Sequence, residues 1–158
     1  MNKRVKYISY AALIAALYML LTYIAAAMGL SSGAVQIRFS EALCVLPYFT
    51  AAAVPGVTIG CLLANIITGC ALWDIVFGTV ATLIGAVLAR LLRKNKWLVP
   101  LPSVLSNVTI VPFVLMFVYN AEEAYPLLLL TVGAGEVISI YGLGMLLLTA
   151  LEKRRIFI

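Results

Sequence analysis

Two short stretches carry the residues that can do chemistry. One is Thr131-Val132-Gly133-Ala134-Gly135-Glu136-Val137, which sets a carboxylate deep in a long apolar run. At about 1.5 Å rise per residue, Glu136 lies roughly 15–20 Å from the start of that run. In lipid, an ionisable group at such depth costs on the order of 3 kcal/mol or more, and it marks a functional site unless a buried polar partner accounts for it. Gly133 and Gly135 thin the helix beside it, so a ligand or another helix can come close. The other stretch is Val35-Gln36-Ile37-Arg38-Phe39-Ser40-Glu41. Ser40 reads as a helix N-cap with Glu41 in the first turn, where the helix dipole favours an acid. Those roles are structural and leave Gln36 and Arg38 unexplained. An amide, a guanidinium and a carboxylate on one loop can cover a polar ligand.

Weaker candidates surround these. Asn65 and Asn107 fall inside apolar runs, where an amide most simply makes an interhelical hydrogen bond. Trp73-Asp74 opens an apolar run and reads as an interfacial anchor and a capping acid. Tyr48, Phe77, Tyr119 and Tyr141 offer flat faces for stacking, although a lone aromatic in a span is ordinarily packing. The chain has no His, which removes the commonest general base and metal ligand. Cys44, Cys61 and Cys70 lack CxxC spacing and read as small packing residues. No Gly-xxxx-Gly-Lys-Ser/Thr stretch is present to cradle a nucleoside triphosphate. With no paired acids at motif spacing either, the pattern does not describe an enzyme.

The elements that must hold these groups are set by composition. Of 158 residues, 65% are hydrophobic and only 11% charged, with a mean hydropathy of +1.13. A soluble domain runs about 45–50% apolar and about 25% charged, so lipid must be the solvent and the chain is an integral membrane protein. Gly and Pro scattered through continuous apolar runs favour helices over alternating barrel strands. The fold expected is all-α: a single membrane domain over 1–158 with helices near 7–28, 41–54, 56–70, 74–92, 97–119 and 125–151, and an outer loop at 29–40. The stretch 41–70 is short for two spans, and Pro55-Gly56 is the expected break within it. Pro112 is expected to kink the fifth helix.

The charges resolve the parity. Lys3, Arg4 and Lys6 precede the first span, Arg90, Arg93, Lys94 and Lys96 separate the fourth from the fifth, and Lys153, Arg154 and Arg155 follow the sixth. Positive clusters mark the cytoplasmic side. All three face one side only if residues 7–90 cross an even number of times, so 41–70 is two helices and both termini are cytoplasmic. Arg38, Glu122 and Glu123 then lie outside. The basic start of the chain resembles a signal n-region, but the apolar stretch behind it is too long for an h-region and lacks a cleavage site, so it is kept as the first span. On that span Ala11 and Ala15, and Ala12 and Ala16, lie one turn apart and form a flat patch suited to close helix packing. Gly56-xxx-Gly60-xxx-Ala64 is a second such stripe, expected to pack within the chain.

Six short helices, cytoplasmic ends and Ala-xxx-Ala on the first helix resemble the substrate-binding S-components of energy-coupling factor (ECF) transporters. The stretches Gln36-Ile37-Arg38-Phe39-Ser40-Glu41-Ala42-Leu43, Leu46-Pro47, Ile59-Gly60-Cys61-Leu62-Leu63-Ala64-Asn65 and Asp74-Ile75-Val76-Phe77-Gly78-Thr79-Val80-Ala81-Thr82-Leu83, with Gly135-Glu136, resemble the QueT family within them. The resemblance implies a six-helix S-component bundle in a bacterial inner or plasma membrane. It implies a deazaguanine precursor of queuosine as substrate, most simply the 7-aminomethyl form. It also implies a transmembrane coupling subunit and two cytoplasmic ATPases as partners, with ATP used by those partners and no cofactor in this chain.

The candidate residues suit such a ligand. Glu136 can take the adjacent N–H donors of a guanine-like edge, an interaction worth on the order of 1–3 kcal/mol if bidentate. Gln36, Arg38 and Asn65 are candidates for the carbonyl and ring nitrogens, Trp73 or Tyr141 for stacking, and Glu41 or Asp74 for an aminomethyl cation. The family mechanism implied is capture under the 29–40 loop, then toppling of the bundle against the coupling subunit through Ala11, Ala12, Ala15 and Ala16. The competing readings are an S-component for another vitamin or nucleobase-like micronutrient, and a stand-alone permease.

Overall fold

The computed structural model describes residues 2–30, 36–120 and 124–154. Every regular element among them is helical: α1 (Lys3–Ala27), a 3-10 helix η1 (Phe39–Tyr48), α2 (Ala53–Ile67), α3 (Leu72–Leu91), α4 (Leu101–Phe117) and α5 (Tyr125–Arg154). Three of these, α1, α3 and α5, are long and apolar enough to cross a membrane by length and composition, while α2 and α4 are shorter apolar helices. The surface is inverted relative to a soluble fold. Leu20, Leu72, Leu130 and Leu146 are exposed, while Ser40, Glu41, Asn65, Thr82 and Asn107 are buried. Large apolar groups outside and polar groups inside suit a lipid solvent.

The first, fourth and sixth helices stand close to their expected ranges; four expectations change. The 41–54 span is a ten-residue 3-10 helix, Phe39–Tyr48. At about 2 Å rise per residue it reaches roughly 20 Å, as far as a longer α-helix would. Everything from Ser40 to Pro47 in it is buried, so neighbouring helices, not propensity, hold this geometry. The break expected at Pro55-Gly56 falls at 49–52 instead, because Pro55 sits in the first turn of α2, where a missing N–H costs nothing. The fifth helix begins at Leu101 and not at Trp97, since Pro100 and Pro102 fit only its start. Ser40 is not the N-cap: Arg38 occupies that position without a capping side chain, and Ser40 Oγ bonds Thr22 Oγ1 at 2.8 Å.

The long last helix also changes winding. It is α-helical over Tyr125–Glu136, π-helical over Val137–Gly144 and α-helical again to Arg154. Such wide turns within α-helices are frequent at functional positions. The chain runs up and down, and cross-contacts define its two ends. At one end Tyr7 Oη donates to the Ala51 carbonyl at 3.5 Å, and Lys96 pairs with Glu152 at 3.1 Å. The described residues of the three basic clusters are thereby collected at this end. Residues 28–30, 36–38, 68–71 and 118–120 lie at the other. Between α1 and α2 the backbones nearly touch: a Cβ at Gly60 would stand 2.6 Å from Tyr18 Cβ and 3.0 Å from the Ala15 carbonyl. The Gly56/Gly60 stripe therefore packs within the chain, and it does so against Ala11 and Ala15.

Candidate functional site

At the end away from the basic clusters the bundle opens into a cavity of ≈ 520 Å³, within the range of small-molecule sites. Thr22, Ala25 and Ala26 of α1, Gln36 and Arg38, Asn65 and Thr68 of α2, Cys70, Asp74 of α3, and Val111, Leu115 and Tyr119 from α4 and its end line it. Gln36, Arg38, Asp74 and Val111 also border a narrow neck of ≈ 20 Å³, room for about one water. Glu41, Cys61, Thr82, Asn107 and Glu136 close that neck at its floor. Six residues singled out in the sequence thus surround one connected space: Gln36, Arg38, Glu41, Asn65, Asp74 and Glu136.

The backbone explains how residues 36–41 come to lie against residue 136. Gln36 runs directly over Gly135: a Cβ there would collide with the Gln36 carbonyl oxygen. The close approach that Gly135 allows is therefore to the 36–38 strap of this same chain. Just beyond, the Arg38 N–H donates to Ser139 Oγ at 3.2 Å, in the π-helical stretch, and the Ile37 N–H donates to the Leu30 carbonyl at 3.0 Å. The strap then enters η1, which delivers Glu41 to the neck. Residues 31–35, the rest of the expected outer loop, and Glu122, Glu123 and Arg155 lie outside the described residues.

Each carboxylate is oriented by a donor from another element or turn. Asn107 Nδ2 donates to Glu136 Oε2 at 3.0 Å. Tyr119 Oη donates to Asp74 Oδ2 at 3.1 Å. Glu41 has both oxygens engaged, Oε1 by the Tyr18 hydroxyl and Oε2 by the Cys44 thiol at 3.3 Å, and it is only 2% exposed. The 3-10 winding makes the last contact possible, because residues three apart stand above one another in it. Tyr18, Asn107 and Tyr119 are the functional-site neighbours that sequence reasoning did not single out for this role. Asn107 was legible as a polar residue in a span; its bond is interhelical as expected, but to the carboxylate at the site.

Two aromatic candidates are not at the cavity. Trp73 is more than half exposed, stacks on Phe77 at 5.9 Å and lines an outward apolar groove with Phe113 and Phe117. Tyr141 points to the opposite end, where its hydroxyl donates to the Trp97 carbonyl at 3.1 Å. The inward position is one residue later in the first turn of α3: the helical period places Asp74 inside and leaves Trp73 out. The alanine patch also divides. Ala11 and Ala15 face α2, whereas Ala12 and Ala16 are exposed.

A polar cavity roofed by a backbone strap, inside an apolar helical bundle, fits a carrier of small polar molecules. A family model described as QueT transporter matches residues 8–153. The chain belongs to the QueT transporter family. No curated protein and no solved structure matches it. Membership makes it a membrane transporter with a small-molecule substrate. In this QueT-family chain the matched range takes in the strap, the 3-10 helix and the π-helical stretch, along with α2, α3, α4 and nearly all of α1 and α5.

Proposed function

We propose that this chain is the substrate-binding S-component of an ECF importer, and that it captures 7-aminomethyl-7-deazaguanine outside a bacterial cell and delivers it inward. The observation that carries the reading is the grouping of Arg38, Asp74 and Glu136 around one polar cavity and its neck inside an apolar helical bundle. A deazaguanine bicycle fits the larger space and only its edge reaches the neck. There Glu136 accepts from the amidine-like N–H edge, while Arg38 and Gln36 face the carbonyl. Membership in the QueT family supports both the carrier role and a small polar substrate.

The collection of basic residues at one end supports an orientation with both termini in the cytoplasm and the cavity facing out. Six passes of the chain are then six crossings, with η1 as the shortest and the most enclosed. The exposed Ala12 and Ala16 are the part of the alanine patch left to meet a transmembrane coupling subunit, which with two ATPases would supply the energy for toppling.

Calorimetric titration or thermal shift of the purified chain with aminomethyl-deazaguanine tests the substrate, with guanine, queuine, biotin and thiamine as comparisons. Selective binding of the deazaguanine is the expected result. Binding of another vitamin discards the substrate while keeping a carrier, and uptake by cells lacking the ATPase partners discards the ECF coupling.

A further inference from the structure

The three acids at the cavity are not equivalent, and their hydrogen bonds sort them. Glu41 is sealed, with both oxygens taken. Glu136 borders only the neck, where Asn107 holds one of its oxygens. Asp74 alone among these acids borders both the neck and the large space through which a ligand enters. Its orientation comes from Tyr119, just past the end of α4. The Tyr119 oxygen accepts the Ala71 N–H at 3.1 Å, at the N-cap of α3, and its hydroxyl donates to Asp74 Oδ2 at 3.1 Å. A phenol carries one proton, so the Ala71 bond leaves that proton directed at Asp74. Oδ2 is thereby held, and Oδ1 lies on the side of Gly78, which lines the neck, 3.8 Å from a Cβ built there.

We infer that Tyr119 is the positioning residue that sets Asp74 to receive a cationic substituent of the ligand, and so determines selectivity for an amine over a neutral group at that place. The inference rests on the deazaguanine reading above and deepens it: the aminomethyl group meets Asp74 and not Glu41. Arg38, on the same cavity wall, repels a cation, so the charge on the substituent is directed toward Asp74, the one carboxylate among the described residues that borders the larger space. A neutral substituent of similar size has no such preference.

The test uses the purified full-length chain and two probes, 7-aminomethyl-7-deazaguanine and 7-cyano-7-deazaguanine, which share the bicycle and differ in charge. The parent chain is expected to favour the amine by about tenfold or more. Tyr119→Phe keeps the ring and removes the proton; it is expected to cut amine affinity about fivefold to tenfold while leaving nitrile affinity within about twofold. Asp74→Asn should abolish the preference altogether. Thermal unfolding of each variant checks that the fold is kept. Equal losses for both probes in Tyr119→Phe, or an unchanged ratio, overturn the inference and make Tyr119 a structural tether only. A parent chain that binds both probes equally also overturns it but leaves the substrate reading intact. A parent chain that binds neither overturns the substrate reading and this one together.

Discussion

Asn107 and Glu136 face each other across the α4–α5 contact, the amide donating to Glu136 Oε2 at 3.0 Å on the floor of the neck. The bond fixes which carboxylate oxygen remains for a ligand edge. Glu136→Gln keeps the shape but replaces one acceptor with a donor, so it should weaken deazaguanine binding by about 1–3 kcal/mol, roughly fivefold to 150-fold. Asn107→Ala leaves the acid intact but unheld. About 1 kcal/mol, fivefold to tenfold in affinity, is expected from losing one hydrogen bond. Calorimetry on folded variants measures both; full affinity in Glu136→Gln would remove the acid from the site.

Gly135 and Gly133 make a matched pair of substitutions two residues apart on the same helix. A methyl at Gly135 would strike the Gln36 carbonyl, whereas at Gly133 it would meet only Val108 Cγ2 at an ordinary 3.6 Å. Gly135→Ala should therefore displace the 36–38 strap, at a cost of about 1–3 kcal/mol of stability, and reduce ligand affinity with it. Gly133→Ala should be near neutral in both. Thermal unfolding and binding on the two variants settle the comparison, and equal behaviour would show that the strap does not depend on this approach.

How much of this was legible in the sequence depends on what sets each feature. Glu136, Asn65 and Asn107 stood out because each interrupts an apolar run, and the cost of burying a polar group in lipid is visible without any structure; Gln36 and Arg38 stood out because no capping role explains them. The ends of α1, α3 and α5 were legible from charge and length. The winding of residues 39–48 and 137–144 was not, because these two stretches pack on each other: Val45 Cγ1 lies 2.9 Å from a Cβ position at Gly144, and Arg38 bonds Ser139. Geometry fixed by a partner element leaves no local periodicity to read. Trp73 and Tyr141 failed as stacking candidates for a related reason. An aromatic in a membrane helix is equally at home facing lipid, so residue type alone does not choose the face.

Arg90 offers a test of what holds η1 in place. Its Nη1 donates to the carbonyls of Pro47 at 2.9 Å and Tyr48 at 3.3 Å, the final turn of the 3-10 helix, where unsatisfied carbonyls collect. Arg90→Met retains the stem and removes both bonds. A loss of about 1.5–3 kcal/mol is expected for hydrogen bonds to a charged group in a partly buried place, read as a lower melting temperature. Glu152→Gln removes the nearby pair with Lys96, whose side chains are 35% and 41% exposed, and should change stability by well under 1 kcal/mol. Comparable losses in the two variants would place the anchor of this end in the ion pair instead.

The divided alanine patch separates folding from coupling. Ala11 and Ala15 lie against α2, where the Ala11 carbonyl is 3.0 Å from a Cβ position at Gly56 and the Ala15 carbonyl 3.0 Å from one at Gly60. Leu at these two positions overfills a contact that has no spare room, and the expected outcome is a destabilised chain with impaired ligand binding. Ala12 and Ala16 are exposed on the neighbouring face, so Leu there adds apolar surface to lipid and leaves the bundle unchanged. If that face meets the coupling subunit, Ala12→Leu with Ala16→Leu should preserve ligand affinity and thermal stability while reducing uptake by an order of magnitude or more, since close small-residue packing tolerates no added side chains. Uptake assays in cells carrying the assembled transporter, alongside binding to the purified variant, read the two quantities separately. Undiminished uptake would assign coupling to another surface of the bundle, and parallel loss of binding would mean that the patch acts through the fold.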